Sequence, residues 1–141
     1  MKLIIDANII FAALIKQETT GELLFSDKLQ LFAPEFLFEE FLKYEDYIIK
    51  KTHRSKDEFN QFLNILKEQI TIVSKEIIKP FLKQADKFSP DPKDTIYLAL
   101  ALSLKASIWS NDRKLKENQN IVKIITTEEL IRSLDFLKEK E

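Results

Sequence analysis

Three residue types that commonly build active sites are scarce in this chain of 141 residues. The sequence contains no cysteine, which excludes disulfides, thiolate zinc sites and cysteine nucleophiles. Its single glycine, Gly21, excludes the glycine-rich phosphate loops of P-loop NTPases and dinucleotide-binding folds. Its single histidine, His53, excludes a histidine-rich metal site, and the basic residues around it are typical of a solvated helix end rather than of a general base.

Long apolar runs and a strong net charge are also missing. No apolar stretch approaches the length that spans a bilayer, and the charge of Asp6 comes too early for the core of a signal peptide. We therefore expect a cytoplasmic protein that does not enter membranes. The formal net charge is −1, so nucleic acid would have to be held by local basic groups or by metals, because the overall field is weak.

The chain alternates short strand-like runs with longer helical ones. Predicted strands cover residues 2–5, 29–33, 70–73, 107–110 and 121–125. Predicted helices cover residues 8–15, 21–26, 34–51, 75–87, 95–104, 113–117 and 130–137, and one more begins after Ser55. This alternation predicts a single α/β domain over residues 1–141, a three-layer α/β/α sandwich with a central, mainly parallel sheet.

Four acidic residues stand where a folded chain has little reason to place charge. They are Asp6, Glu40, Asp94 and Asp112. Asp6 ends one apolar run and Asp112 follows another, so both come directly after predicted strands. Sites in parallel sheets lie beyond the carboxyl ends of the strands, at the switch in strand order. These two carboxylates are therefore expected at one sheet edge.

The other two acids interrupt apolar helical faces. Asp94 opens a helix whose neighbouring turns are apolar, and a carboxylate buried there needs a partner or a metal. Glu40 differs from Glu39 in the face it occupies. Glu39 falls on a polar stripe with Lys43, whereas Glu40 lies beside Phe41 in the helix interior, where no cap explains it.

Each aspartate has a simpler structural explanation when it is taken alone. Aspartate is a favoured helix N-cap and complements the helix dipole, and Asp6, Asp91, Asp94 and Asp112 all lie near predicted helix starts. Asp91 suits capping best, because Pro92 would then occupy the first helical position. We assign Asp91 to capping, with a possible supporting duty at the site.

Four carboxylates at one sheet edge would repel one another and would therefore require cations. Hard divalent ions with oxygen ligands are the natural ones. Two-metal sites stabilise the attacking and the leaving oxygen of a displacement at phosphorus, and they need no histidine or cysteine. The leading hypothesis from the residues is a phosphodiester-cleaving enzyme that uses one or two Mg²⁺ or Mn²⁺ ions.

Several polar residues near the acids have supporting roles in this hypothesis. Asn8 could orient Asp6 or a metal water, and Ser110 and Asn111 could fix the rotamer of Asp112 or cap the next helix. Arg113 and Lys114 could meet a phosphate, although a charged helix face explains them equally well.

With these residues in these positions, the sequence resembles the PIN domain family of metal-dependent ribonucleases. The matching pieces are residues 3–8, 34–42, 91–101 and 108–115, in the order of the family. Matched residue by residue, Asp6, Glu40, Asp94 and Asp112 correspond to the acidic quartet of the family. Asn8 and Ser110 match positions that often support it. The pair of Asp91 and Asp94 is more complete than in many members, which makes Asp91 a further candidate metal ligand beside Glu40.

The resemblance also implies an activity and partners. It implies hydrolysis of single-stranded RNA with Mg²⁺ or Mn²⁺, leaving a 3′-hydroxyl and a 5′-phosphate. Small members are commonly toxins of toxin–antitoxin pairs, usually homodimeric and silenced by a small antitoxin protein. Four aromatic residues are candidates for a dimer interface, although core packing is their commoner use: Phe25, Phe32, Tyr44 and Tyr47.

Two other classes stay open at the level of sequence. The first is a phosphohydrolase that uses Asp6 as its nucleophile, but the haloacid-dehalogenase pattern requires aspartate where this chain has Asn8. A receiver domain would want an acidic pair after the first strand, which is also missing. The second class is a non-catalytic module of similar fold that binds RNA or protein without cutting it.

Overall fold

The computed structural model describes residues 1–15 and 18–139, which form a five-stranded parallel sheet flanked by helices. The predicted fold class is confirmed. Within these ranges no helix combines the length and apolarity that a bilayer crossing requires.

The strands are β1 Lys2–Ile5, β2 Gln30–Pro34, β3 Ile70–Val73, β4 Ser107–Trp109 and β5 Ile124–Ile125. The helices are α1 Ala7–Ile15, α2 Glu18–Leu24, α3 Phe36–Lys43, α4 Glu45–Thr52, α5 Lys56–Gln69, α6 Lys75–Asp86, α7 Thr95–Leu104, α8 Arg113–Glu117 and α9 Thr127–Glu139, with a 3-10 turn at Pro92–Asp94 before α7.

The strand order places β1 at the centre of the sheet. The order is β3-β2-β1-β4-β5, and every pairing between neighbouring strands is parallel. The chain first builds outward from β1 to β3 and then crosses back to lay β4 on the other side of β1. The direction of winding therefore reverses between β1 and β4, and a crevice opens beyond their carboxyl ends.

The apolar helix α7 is buried because the sheet and a second helix cover it. It packs over β1, β2 and β4 on one side and against α6 on the other. Its central residues, from Tyr97 to Ala101, are at most 4% exposed. The helix ends at Lys105 in the left-handed conformation (φ 52°), and the next amide, that of Ala106, donates to the carbonyl of Ala101 at 3.0 Å. This burial fixes the start of α7, and with it Asp94, against the sheet edge.

The predicted helix over residues 34–51 is wrong, because two helices occupy this segment. α3 ends and α4 begins at Tyr44, whose backbone (φ −104°, ψ 15°) leaves the helical region. No proline or glycine marks the break, so the sequence carried no conventional signal for it. The change of direction lets α4 bury Ile48 while the Tyr44 carbonyl caps it by accepting from the Ile48 amide at 2.9 Å.

Two boundaries near the C-terminus also differ from the prediction. The last strand is only Ile124–Ile125, because the Gln119 side chain accepts from the amides of Ile121 and Val122, at 3.1 and 2.9 Å, and holds them in a loop. α9 begins at residue 127 rather than at residue 130. Its start is a capping box, since Thr126 and Glu129 exchange hydrogen bonds between side chain and backbone, both 3.2 Å long.

Candidate active site

The four acids predicted to form a site line one pocket of about 660 Å³. Asp6 follows β1 directly, Glu40 comes from α3, Asp94 ends the 3-10 turn, and Asp112 caps α8. The pocket lies at the switch in strand order, where the ends of β1 and β4 meet. Asp91 also lines it.

Asp6 is the most constrained of these carboxylates. Its backbone amide donates to the Trp109 carbonyl at 3.2 Å, which extends the pairing of β1 with β4 to the site itself. Its Oδ2 accepts from the Ser110 hydroxyl at 2.8 Å and from the Asn8 amide at 3.2 Å. Burial raises the pKa of Asp6, as do the charges of Asp112 and Glu40, while the Ser110 hydrogen bond opposes the rise.

Ser110 connects both halves of the site. Its side chain is fully buried, and its hydroxyl oxygen accepts from the Asn8 side chain and from the Asp112 amide, each at 3.1 Å. The Asn111 amide also donates to Asn8 Oδ1, at 3.4 Å. These hydrogen bonds hold Asp6 and the loop that leads to Asp112. This network spans more than 100 residues of sequence, since Asp6 and Ser110 are 104 positions apart.

Asp112 is a helix cap and a pocket residue at once. Its Oδ1 accepts from the amides of Lys114 and Leu115, at 3.0 and 3.3 Å, as an N-cap does. Capping fixes the rotamer of the carboxylate, and the side chain still lines the pocket. The structural and the functional interpretations of this residue are thus compatible.

Asp94 has a carboxyl pKa that is raised by its surroundings. Partial burial and the nearby charges of Asp112, Asp6 and Asp91 raise its pKa from the ordinary 3.8 to about 6. Asp91 behaves as the expected cap, because its Oδ1 accepts from the Lys93 amide at 2.9 Å and Pro92 is the first residue of the turn.

Glu40 faces the pocket, whereas its neighbour Glu39 is exposed to solvent, as the periodicity of the helix predicts. The Tyr97 hydroxyl donates to Glu40 Oε2 over a long distance of 3.5 Å. Burial raises the pKa of Tyr97 far above its ordinary value, with further contributions from Asp6 and Glu40, so the phenol remains a proton donor. Helical spacing puts Tyr97 on the face of Asp94, but its contact with Glu40 could not be predicted, because that acid comes from a different helix.

A second network behind the site was missed at the level of sequence. The Thr127 hydroxyl, in a buried residue, accepts from the Trp109 indole at 3.0 Å and from the Asn111 side chain at 3.0 Å. Asn111 Oδ1 in turn accepts from the Thr127 amide at 2.9 Å. Asn111 therefore ties the loop before Asp112 to the start of α9, and only the three-dimensional pairing of β4 with β5 could have revealed this.

The basic residues near the pocket differ in position. Lys114 lines the pocket, and so does Lys93, which the sequence did not single out. The side chain of Arg113 is 90% exposed and forms an ion pair with Glu117 at 3.8 Å on the surface of α8. His53 is exposed and ends α4 in the left-handed conformation (φ 55°).

The donor set of the pocket suits a hard divalent cation. All its acidic ligand candidates offer carboxylate oxygens, which Mg²⁺ and Mn²⁺ prefer. The pKa values of Asp6 and Asp94 are raised first by burial and then by the negative charge of neighbouring carboxylates, and a bound cation would offset both effects. Across residues 1–15 and 18–139, no three acidic or histidine side chains are gathered so that they hold an ion as they stand. Ligation would therefore require the carboxylates to turn toward a common centre.

Two solved structures share this fold. A chain of the VapBC2 complex from Rickettsia felis, bound to a DNA fragment from its promoter, superposes with a TM-score of 0.66 at 15% identity, covering 89% of this chain and 98% of that one. A chain of a toxin–antitoxin complex from Klebsiella pneumoniae gives a TM-score of 0.65 at 14% identity, covering 89% and 97%. At such identities the likeness concerns the fold alone.

The family is shown by the sequence itself. No curated protein matches the chain significantly. The family model described as the PIN domain matches residues 4–135, a span that includes every acidic residue of the pocket. The chain therefore belongs to the PIN domain family.

Proposed function

We propose that this protein is a metal-dependent endoribonuclease that hydrolyses phosphodiester bonds of single-stranded RNA. The observation that carries the proposal is the meeting of Asp6, Glu40, Asp94 and Asp112, from four separate elements, in one pocket at the switch in strand order. Membership of the PIN domain family supports it. In this proposal Asp6, Asp94 and Asp112 hold one or two Mg²⁺ or Mn²⁺ ions.

The residues around these ligands have separate duties. Glu40 completes the ligand set or orients the attacking water, and Asp91 is a further candidate ligand. A bound divalent ion would supply Lewis-acid stabilisation of the phosphate and a lowered pKa for water. Ser110 and Asn8 hold the Asp6 carboxylate in one orientation through hydrogen bonds of 2.8 and 3.2 Å.

The phosphate backbone would be positioned by cations at the rim of the pocket. Lys93 and Lys114 both line it, and they come from the turn before α7 and from α8. Each is a flexible point charge suited to a phosphate oxygen. Arg113 stays a predicted substrate contact, and its exposed guanidinium would have to exchange Glu117 for phosphate.

Cleavage of an end-labelled pool of single-stranded RNA tests this proposal directly. The purified protein is assayed with Mn²⁺, with Mg²⁺ and with EDTA, beside Asp6→Asn and the surface control Asp27→Asn, which removes an exposed charge outside the pocket. We expect cleavage that requires the metal, disappears in Asp6→Asn and persists in Asp27→Asn. Equal cleavage in EDTA, or full activity of Asp6→Asn, would refute the assignment.

We also propose that the protein is a cytoplasmic toxin that acts as a homodimer and is silenced by a small antitoxin protein. The two structural neighbours support the pairing of a toxin with an antitoxin, because one is named as VapBC2 and the other as a toxin–antitoxin complex. Induced expression in a bacterial host should arrest growth with the natural chain and not with Asp6→Asn. Normal growth with the folded, active chain would contradict a toxin.

A non-catalytic RNA-binding module is the second candidate function. It is favoured by the finding that the acids of the described residues do not already surround an ion site. It predicts RNA binding that is unchanged by EDTA and by Asp6→Asn, with no cleavage under any metal condition.

A further inference from the structure

One wall of the acidic pocket is aromatic. Phe11, Tyr44 and Tyr47 line it, on the side where α3 and α4 meet. Tyr44 is 48% exposed and Tyr47 is 56% exposed. Tyr44 comes four residues after Glu40, so aromatic surface begins one helical turn from the proposed catalytic carboxylates. Exposed tyrosines that are grouped beside a polar site differ from isolated surface aromatics, which are common and need no explanation.

The Tyr44 ring is held in place by a series of aromatic contacts that begins in the core. Phe59 and Phe41 are fully buried and stack with centroids 5.4 Å apart. Phe41 contacts Phe11 at 5.5 Å, and Phe11 meets Tyr44 edge to face at 5.7 Å and 84°. Four rings therefore form a continuous chain from the interior to the pocket mouth. A braced ring loses little conformational entropy when a ligand covers its free face.

The rest of the pocket carries groups that would bind the phosphate backbone of a nucleic-acid strand. Lys93 and Lys114 supply positive charge that would bind phosphate directly. The carboxylates would bind phosphate through the proposed metal ions. Single strands are commonly bound by such a charged track combined with aromatic rings on which the bases stack. The charged track favours RNA over an apolar protein segment as the occupant of the aromatic wall.

We propose that Tyr44, with Tyr47 beside it, stacks against a nucleobase next to the scissile phosphate of single-stranded RNA. This inference rests on the proposed function. Because every base has a π face, the contact holds the strand in place without selecting a particular base. Tyr44 is thus a substrate-binding residue that fixes where the RNA backbone crosses the carboxylates. It lies at the kink between α3 and α4, and the kink exposes its ring at the pocket.

The test compares variants that keep or remove the ring. Tyr44→Phe keeps it, Tyr44→Leu keeps the apolar contact with Phe11 but removes the π face, and Phe25→Ala removes a ring that is 43% exposed and lies outside the pocket. Binding is measured with oligoribonucleotides that carry 2-aminopurine at successive positions, whose fluorescence falls on stacking. Cleavage is measured in parallel with Mn²⁺, and sedimentation reports the oligomeric state.

We expect Tyr44→Leu to weaken RNA binding by about 5- to 150-fold and to lose quenching at one position, since stacking on an aromatic ring contributes about 1–3 kcal/mol per base. Tyr44→Phe and Phe25→Ala should bind like the natural chain. An abasic nucleotide at the quenched position should weaken binding of the natural chain and leave Tyr44→Leu unaffected.

The outcomes separate the two proposals. Unchanged binding and quenching in Tyr44→Leu, with cleavage intact, would overturn stacking alone. Quenching without any cleavage would overturn the nuclease assignment alone. If Tyr44→Leu instead converts a dimer into monomers while RNA affinity is unchanged, the ring belongs to an interface between copies and the inference is wrong.

Discussion

Replacing Ser110 by alanine would test whether the site depends on the buried hydroxyl that holds Asp6 in place. The hydroxyl donates to Asp6 Oδ2 at 2.8 Å and accepts from Asn8 and from the Asp112 amide, both at 3.1 Å. Ser110 is fully buried, so water cannot easily take over these bonds. A hydrogen bond to a charged group contributes about 1.5–3 kcal/mol, and a buried amide left without its acceptor costs about 1–3 kcal/mol. We expect the free energy of unfolding to fall by about 2–4 kcal/mol.

The same substitution should change the chemistry of Asp6. The Ser110 hydrogen bond is the strongest influence that lowers the pKa of this buried carboxyl, so its loss raises the pKa further. The ionised form needed for a metal would then appear only at higher pH, and the acid limb of the pH–rate profile should move upward. Loss of a group that orients a ligand typically weakens metal affinity or activity by about 10- to 100-fold.

The assay is a Mn²⁺ titration of RNA cleavage at several pH values, with a thermal melt of each protein. Ser103→Ala is the matched control, because its hydroxyl donates to the Leu100 carbonyl within α7, at 2.8 Å, and lies outside the pocket. An unchanged Mn²⁺ requirement and pH profile in folded Ser110→Ala would show that the hydroxyl does not control Asp6.

Three further predictions follow from the same geometry. Asp112→Asn should abolish cleavage without lowering the melting temperature by more than a few degrees, because asparagine caps a helix as aspartate does. The pKa of Asp94 is raised from 3.8 to about 6, so its contribution to the stability of the metal-free protein is present below about pH 4 and is lost as the pH rises through about 6. Melts in EDTA should therefore fall over this window in the natural chain, less so in Asp94→Asn, and an identical slope in both would refute the shift. Thr127→Val should destabilise the protein by about 1–3 kcal/mol in denaturant unfolding, because the indole of Trp109 loses its acceptor, whereas Thr127→Ser should not.

The sequence was most informative where chain order and local periodicity fix position. Asp6 and Asp112 follow apolar strands, and the ends of neighbouring parallel strands must share an edge. Helical periodicity separated Glu40 from Glu39, and the structure places only Glu40 on the pocket lining. The catalytic role of these residues remains a prediction, although their meeting in one pocket is a feature of the fold.

Features that depend on long-range packing could not be predicted from the sequence. The kink at Tyr44 has no breaker residue, and it follows from the burial of Ile48 against the core. Thr127 was overlooked because its partners, Asn111 and Trp109, lie 16 and 18 residues away. Lys93 lines the pocket because the 3-10 turn that carries it lies at the pocket rim, a position that the sequence does not indicate.

The crossover that inserts β4 beside β1 has a consequence for synthesis in the cell. Asp6 leaves the ribosome early, but its partner Ser110 lies 104 residues later, so the site is completed only when about four fifths of the chain has been made. A nascent or truncated fragment that ends before β4 would lack Ser110 and Asp112 and would leave β1 as an open sheet edge. Such a fragment would lack the proposed nuclease activity, and its exposed edge would favour its aggregation or degradation.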